Sequence, residues 1–230
     1  MRKTLLIISL VAAITLGANA QTIDSRVGVK LGPTLDWASV GSTAVSSDGV
    51  RLGANFGLVY DYYFTNNFAV SSGVNLKLFR LKYTFTDRRR VEDFLEDANV
   101  RVSRRLSATN IEIPLMVKGR YDVADLFFLY AEAGAGLSFN LKDYGKDQYS
   151  FYWVDYQAQD YEDCTNQYRP LQFSMIVGLG AEYQINRNLS VFAQLTFDHS
   201  FSNAFVRTLE KQTGSIVRNN FIGLEFGVMY

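Results

Sequence analysis

The stretch Asn219-Asn220-Phe221-Ile222-Gly223-Leu224-Glu225-Phe226-Gly227-Val228-Met229-Tyr230 alternates over its whole length. Asn220, Ile222, Leu224, Phe226, Val228 and Tyr230 share one face, while Asn219, Phe221, Gly223, Glu225, Gly227 and Met229 share the other. A period of two belongs to an extended strand, not a helix. The smoother apolar face ends on an aromatic residue, which suits a strand whose outer side meets lipid. A lone strand in hydrocarbon would leave its N–H and C=O groups unpaired, so this stretch demands a closed barrel. Leu224, Phe226, Val228 and Tyr230 are therefore expected to form the signal by which an outer-membrane assembly machinery takes up the chain.

The same alternation recurs upstream. Val27, Val29, Leu31, Leu35 and Trp37 oppose Gly28, Lys30, Gly32, Thr34 and Asp36. Val50 to Phe64 gives the clearest strand, and the turn Thr65-Asn66-Asn67 leads into Phe68 to Leu78, with a slip of parity, as from a bulge, expected near Phe79 to Tyr83. The charged run Thr86 to Arg105 reads as a long solvated loop. Asn110 to Tyr121 is the next strand, with a bulge expected at Pro114 because proline lacks the ladder donor. Phe127 to Asn140, Leu171 to Gln184 and Leu189 to Asp198 follow, separated by the longest loop, Lys142 to Pro170, and by the turn Asn186-Arg187-Asn188. His199 to Ile216 reads as the last long loop. The pattern predicts an all-β fold, a closed antiparallel transmembrane barrel of about eight strands. Long loops lie outside and short turns in the periplasm.

Met1-Arg2-Lys3, the apolar run Leu5 to Leu16 and Ala18-Asn19-Ala20 read as a signal peptide over residues 1–20, leaving 21–230 as the barrel. Gln21 at the proposed cut, with Cys164 the only cysteine, argues against a lipid anchor and excludes an internal disulfide. Removing Arg2 and Lys3 leaves 23 − 2 = 21 basic residues against 23 acidic ones. Nothing in that balance predicts nucleic-acid binding. No later run reaches the roughly 18 apolar residues of a membrane helix, so membrane residence rests on the strands.

The parity opposite the apolar face carries Lys30, Asp36, Arg51, Asp61, Lys77, Glu112, Lys118, Arg120, Glu132, Glu182, Asp198 and Glu225. An eight-stranded barrel has room inside only for side chains, so these charges are expected to pair in a filled interior. A narrow ion or solute path through the same network is the alternative. Trp37, Tyr62, Phe64, Phe68, Tyr121, Tyr183 and Tyr230 lie near strand ends on the outward parity, as aromatic girdles do. Asp198-His199-Ser200 with Ser202 invites a second alternative, a lipid-modifying enzyme, but neither serine shares His199's face in a regular strand. Catalysis, cofactor and metal sites are therefore assigned no residues, and Asp155, Asp160, Glu162 and Asp163 read as a solvated acidic loop without calcium-loop spacing. Tyr149, Tyr152, Trp153, Tyr156 and Tyr161 form a candidate binding loop, since aromatic side chains supply rigid contact area.

Asn110-Ile111-Glu112-Ile113-Pro114-Leu115-Met116-Val117-Lys118 resembles a strand of the small PorT-like outer-membrane β-barrel proteins of Bacteroidetes. Ala133-Gly134-Ala135-Gly136 and Gly178-Leu179-Gly180-Ala181-Glu182-Tyr183 are similar to later strands of that family. The resemblance implies the outer membrane, a structural or partner-binding role and, for some relatives, protein secretion. No catalytic residue carries over. Expected partners are outer-membrane lipid, the assembly machinery and an envelope or secretion protein.

Overall fold

The computed structural model describes residues 25–41, 45–90, 97–151, 154–156, 162–186, 188–204 and 216–230. The expected signal peptide lies outside them. Eight long antiparallel strands form the wall: β1 (Ser25–Val40), β3 (Arg51–Tyr63), β4 (Phe68–Arg90), β5 (Asp97–Ala124), β6 (Phe127–Phe151), β9 (Leu171–Asn186), β10 (Leu189–Ser200) and β11 (Val217–Met229). Short strands β2 (Val45–Ser47), β7 (Val154–Tyr156) and β8 (Glu162–Asp163) attach to β4 and β6. Neighbours in sequence pair around the ring, and β1 against β11 closes it, with Tyr230 and Val27 exchanging backbone hydrogen bonds of 2.7 and 2.9 Å at the seam.

Closure satisfies the backbone and leaves the two faces to the side chains. Leu115 is 63% exposed and Leu179 60%, whereas Asp61 and Glu225 are fully buried. The outward apolar band is what a bilayer covers. Tyr62, Phe64, Phe68, Tyr121, Tyr183 and Tyr230 are exposed around the short-turn end, and half-buried Trp37 stacks on Phe197 toward the other.

Four expectations are corrected. Thr86–Arg90 and Asp97–Arg105 are strand rather than loop, because β4 and β5 stay in one register from Phe68↔Gly119 to Arg90↔Asp97. Likewise β6 continues through Lys142 to Phe151 before turning back on β7. Neither Phe79–Tyr83 nor Pro114 is a bulge: Pro114 pairs with Gly136, Ser72 Oγ donates to its carbonyl at 2.8 Å, and the β5–β6 register shifts fall at Thr109/Asn110, opposite Leu141, and at Asp122/Ala124. What changes at Phe79 is polarity. Asn75 and Lys77 point inward, and so do Phe79, Leu81 and Tyr83 at the same parity.

That switch marks where the barrel leaves the apolar band. On β4 the outward residues pass from Leu76 and Leu78 to Arg80 and Lys82, and on β5 from Ile113 and Ile111 to Thr109, Ser107 and Arg105. The β4–β5 hairpin continues beyond Leu78 by roughly 40 Å along the strand at about 3.3 Å per residue. β1, β10 and β11 end much nearer the band.

Candidate functional site: a sealed interior under an apolar cap

The interior is built from side chains at alternate positions of all eight long strands. Nearest the short turns, Arg26 pairs with Glu182 at 2.6 Å, and Arg120 approaches the same carboxylate at 3.9 Å while lying over Phe128 and Tyr63. Lys118 binds Asp61 at 2.6 Å and sits 4.1 Å above the ring of Tyr130. The next layer centres on Glu225, which takes Lys30 and Gln194 at 2.9 Å, Thr196 at 3.0 Å and the Asn55 amide. Gln194 also donates to Glu132 at 3.1 Å and accepts from the Tyr130 hydroxyl at 2.8 Å.

Above this, Lys77 bridges Glu112 and Asp198, the latter at 2.5 Å. Asn75 and Ser138 donate to Glu112 at 3.1 and 3.2 Å, and Ser174 to Asp198 at 3.3 Å. A buried charge is tolerated only when its partners and hydrogen bonds are in place, and here each lysine has a carboxylate within reach. The cavity between Lys30, Ser71, Lys118, Glu132 and Met229 holds about 10 Å³, the size of one water.

Eleven of the twelve charges expected inside are therefore inward-facing. Asp36 makes no ion pair with any described residue and accepts the backbone N–H of Arg80 at 2.9 Å, and Glu132 is held by Gln194. Arg51 is the exception: although its parity is inward, it is exposed at the outer end of β3, where the strand has left the interior. Arg26 was missed, although it shares the parity of Lys30 and Asp36. So were the uncharged members Asn55, Tyr130 and Gln194, which charge counting does not find.

The interior does not stay polar to the top. Phe79, Leu81, Tyr83, Leu106, Ala108, Val217, Phe221, Ala204, Cys164 and Tyr168 pack into an apolar cap over Lys77, whose ammonium lies 4.7 Å from the ring of Phe221. The Tyr83 and Tyr168 hydroxyls are hydrogen-bonded to one another. Arg104 closes the side with two 2.6 Å bonds to Asp147 and one of 2.5 Å to Gln167. Burial pushes the Cys164 thiol up to about 11 and the Tyr83 hydroxyl up to about 12, so both stay protonated at neutral pH.

Of the candidate binding loop, Tyr149 and Tyr156 are register partners in the β6–β7 pair, and Tyr152, Trp153 and Tyr161 lie outside the described residues. The C-terminal positions Leu224, Phe226, Val228 and Tyr230 are all exposed on the outer face of the seam. His199 is in β10 rather than a loop. It points outward, stacked on Phe197, edge-on to Phe201 and hydrogen-bonded to Asn220, whereas Asp198 and Ser200 point inward. Ser202 accepts the N–H of Phe173 at 2.9 Å.

Residues 19–206 match the family described as outer membrane protein beta-barrel domain. Among solved structures, the chain is similar to the outer membrane protease OmpT of Escherichia coli (11% identity, 93% of this chain and 99% of that one, TM-score 0.56). It also aligns with Neisserial surface protein A (12%, 88% and 95%, 0.43) and with OprG of Pseudomonas aeruginosa (13%, 90% and 97%, 0.39). At such identities the likeness is one of fold alone. No curated protein matches by sequence.

Proposed function

The chain belongs to the outer membrane protein beta-barrel domain family, and from that premise we propose a sealed, non-enzymatic barrel. Its working surface is the tall outer wall of β4, β5 and β6, which serves envelope structure or partner binding. The observation that carries this reading is the continuous filling of the lumen, ion-paired layers below and an apolar cap above, while three strands rise far past the lipid edge. A solute path would have to break Lys77 from both its carboxylates and displace Phe221. The separation of Ser200 and His199 onto opposite faces of β10 supports the absence of hydrolase chemistry, because a nucleophile needs its base within hydrogen-bond reach. The resemblance of Asn110–Lys118 to PorT-like barrels makes a protein-export component a partner class worth capturing.

Folded protein in planar bilayers is expected to be electrically silent, and a photo-crosslinker at outward Ser103 to capture envelope proteins that one at Leu195 does not. Lipid A from overproducing cells should remain unmodified. Reproducible conductance steps, or equal capture at the two positions, would overturn the proposal.

A further inference from the structure

The wall is not evenly sealed at the level where it leaves the lipid. β3 and β4 pair as far as Ala54↔Leu78 and then part, and β4 next finds a partner in β2, at Tyr83↔Ser47. In the gap the Arg80 N–H has no strand neighbour on that side and is taken by the buried Asp36 carboxylate. That reach is open only because residue 53 is glycine, since a Cβ there would collide with the same carboxylate. The gap opens outward as a groove of about 440 Å³ lined by Arg51, Leu52, Arg80, Leu81, Arg105 and Leu106.

Arg51, Arg80 and Arg105 are all exposed, and no described residue offers their guanidinium groups an ion pair or hydrogen bond. The exposed acid Asp48 on β2's flank is engaged by Lys82 at 2.5 Å. Three guanidinium groups along one groove present planar forks suited to phosphate oxygens. Leu52, 61% exposed, and Leu78 below it continue the groove into the apolar band, at the depth where headgroup meets acyl chain. We propose that this groove binds the phosphorylated headgroup of an outer-leaflet lipid, with Arg51, Arg80 and Arg105 on the phosphate and Leu52 against the first methylenes.

The test uses the full mature chain folded in detergent, titrated with bisphosphorylated lipid A, the same lipid A after dephosphorylation, and inorganic pyrophosphate, with bound ligand read by native mass spectrometry. Bisphosphorylated lipid A is expected to bind at least ten-fold more tightly than either of the others. Combined Arg51→Gln, Arg80→Gln and Arg105→Gln should abolish that preference, and Lys142→Gln, an exposed base away from the groove, should keep it. Equal binding of the dephosphorylated lipid, or an unchanged preference in the triple variant, would overturn the proposal. Pyrophosphate binding as tightly as the lipid would overturn the lipid source in favour of free phosphate. Heat-modifiable gel mobility reports folding, and if the triple variant does not fold, Arg105→Gln alone is expected to weaken lipid A binding about three-fold, with no change counting against the site.

Discussion

Between Lys77 and Phe79 one strand crosses from one kind of protein to another without changing its backbone. Below, β4 turns Asn75 and Lys77 inward and Val74 and Leu76 outward; above, it turns Phe79, Leu81 and Tyr83 inward and Arg80 and Lys82 outward. The neighbouring strand repeats the exchange, with Glu112 and Asn110 inward below and Ala108 and Leu106 inward above. The lower region follows membrane rules, in which lipid covers apolar side chains and polar ones must satisfy each other inside. The upper region is an ordinary water-soluble core, stabilised by burying apolar surface. A barrel wall can serve both solvents because alternation is fixed by the strand, whereas which parity is apolar is free to change.

The two regions should respond differently to mutation. The largest effect is expected at Lys77→Met, which strands Glu112 and Asp198 together in the interior. Removing one partner of a buried pair costs about 3–5 kcal/mol, measurable as urea unfolding in lipid vesicles by tryptophan fluorescence. Adding Glu112→Gln and Asp198→Asn should restore most of it. A loss below about 1 kcal/mol, the range of exposed pairs, would mean that water reaches this layer.

In the cap, Leu106→Ala should cost about 2–3 kcal/mol, toward the low end for a buried leucine because the site can partly collapse. The same change should speed maleimide labelling of Cys164, whose thiol is buried and held protonated near neutral pH, while the heat-modifiable mobility of the barrel stays intact. If labelling of Cys164 is unaffected, Leu106 does not help the cap shield that thiol from water.

The smallest effect belongs to the solvated outer rim. The Lys82 ammonium beside Asp48 holds that carboxyl below its usual range, and a depressed acid contributes stability above its ordinary pKa that fades as pH falls through the folded one. Asp48→Asn should therefore cost at most about 1 kcal/mol at pH 7 and progressively less as the pH falls through the folded carboxyl's range, checked by unfolding titrations at neutral and acid pH. An effect larger than that of Leu106→Ala would place Asp48 in the core instead.

Much of this was legible from alternation. The seam, the eight strands and eleven of the interior charges follow from residues two apart, because a strand leaves no choice about which side chains share a face. The corrections come where alternation persisted but its chemistry changed. Charges at Arg101, Arg104 and Arg105 made β5 look like a loop, yet Arg104 lies inside the wall on Asp147, and Arg105 faces out beside the groove. Arg51 failed in the opposite sense, since parity alone says nothing about where a strand end leaves the lumen.

By itself, then, the order of residues determined that the chain closes into a cylinder, which side faces lipid and which charges are confined within it, since these depend only on local period and the need to pair every backbone group. Tertiary structure alone decided which acid meets which base, where the lumen turns from ionic to apolar, and that β3 and β4 part to form a basic groove. Those depend on register between strands distant in sequence, and on the level at which each one leaves the bilayer.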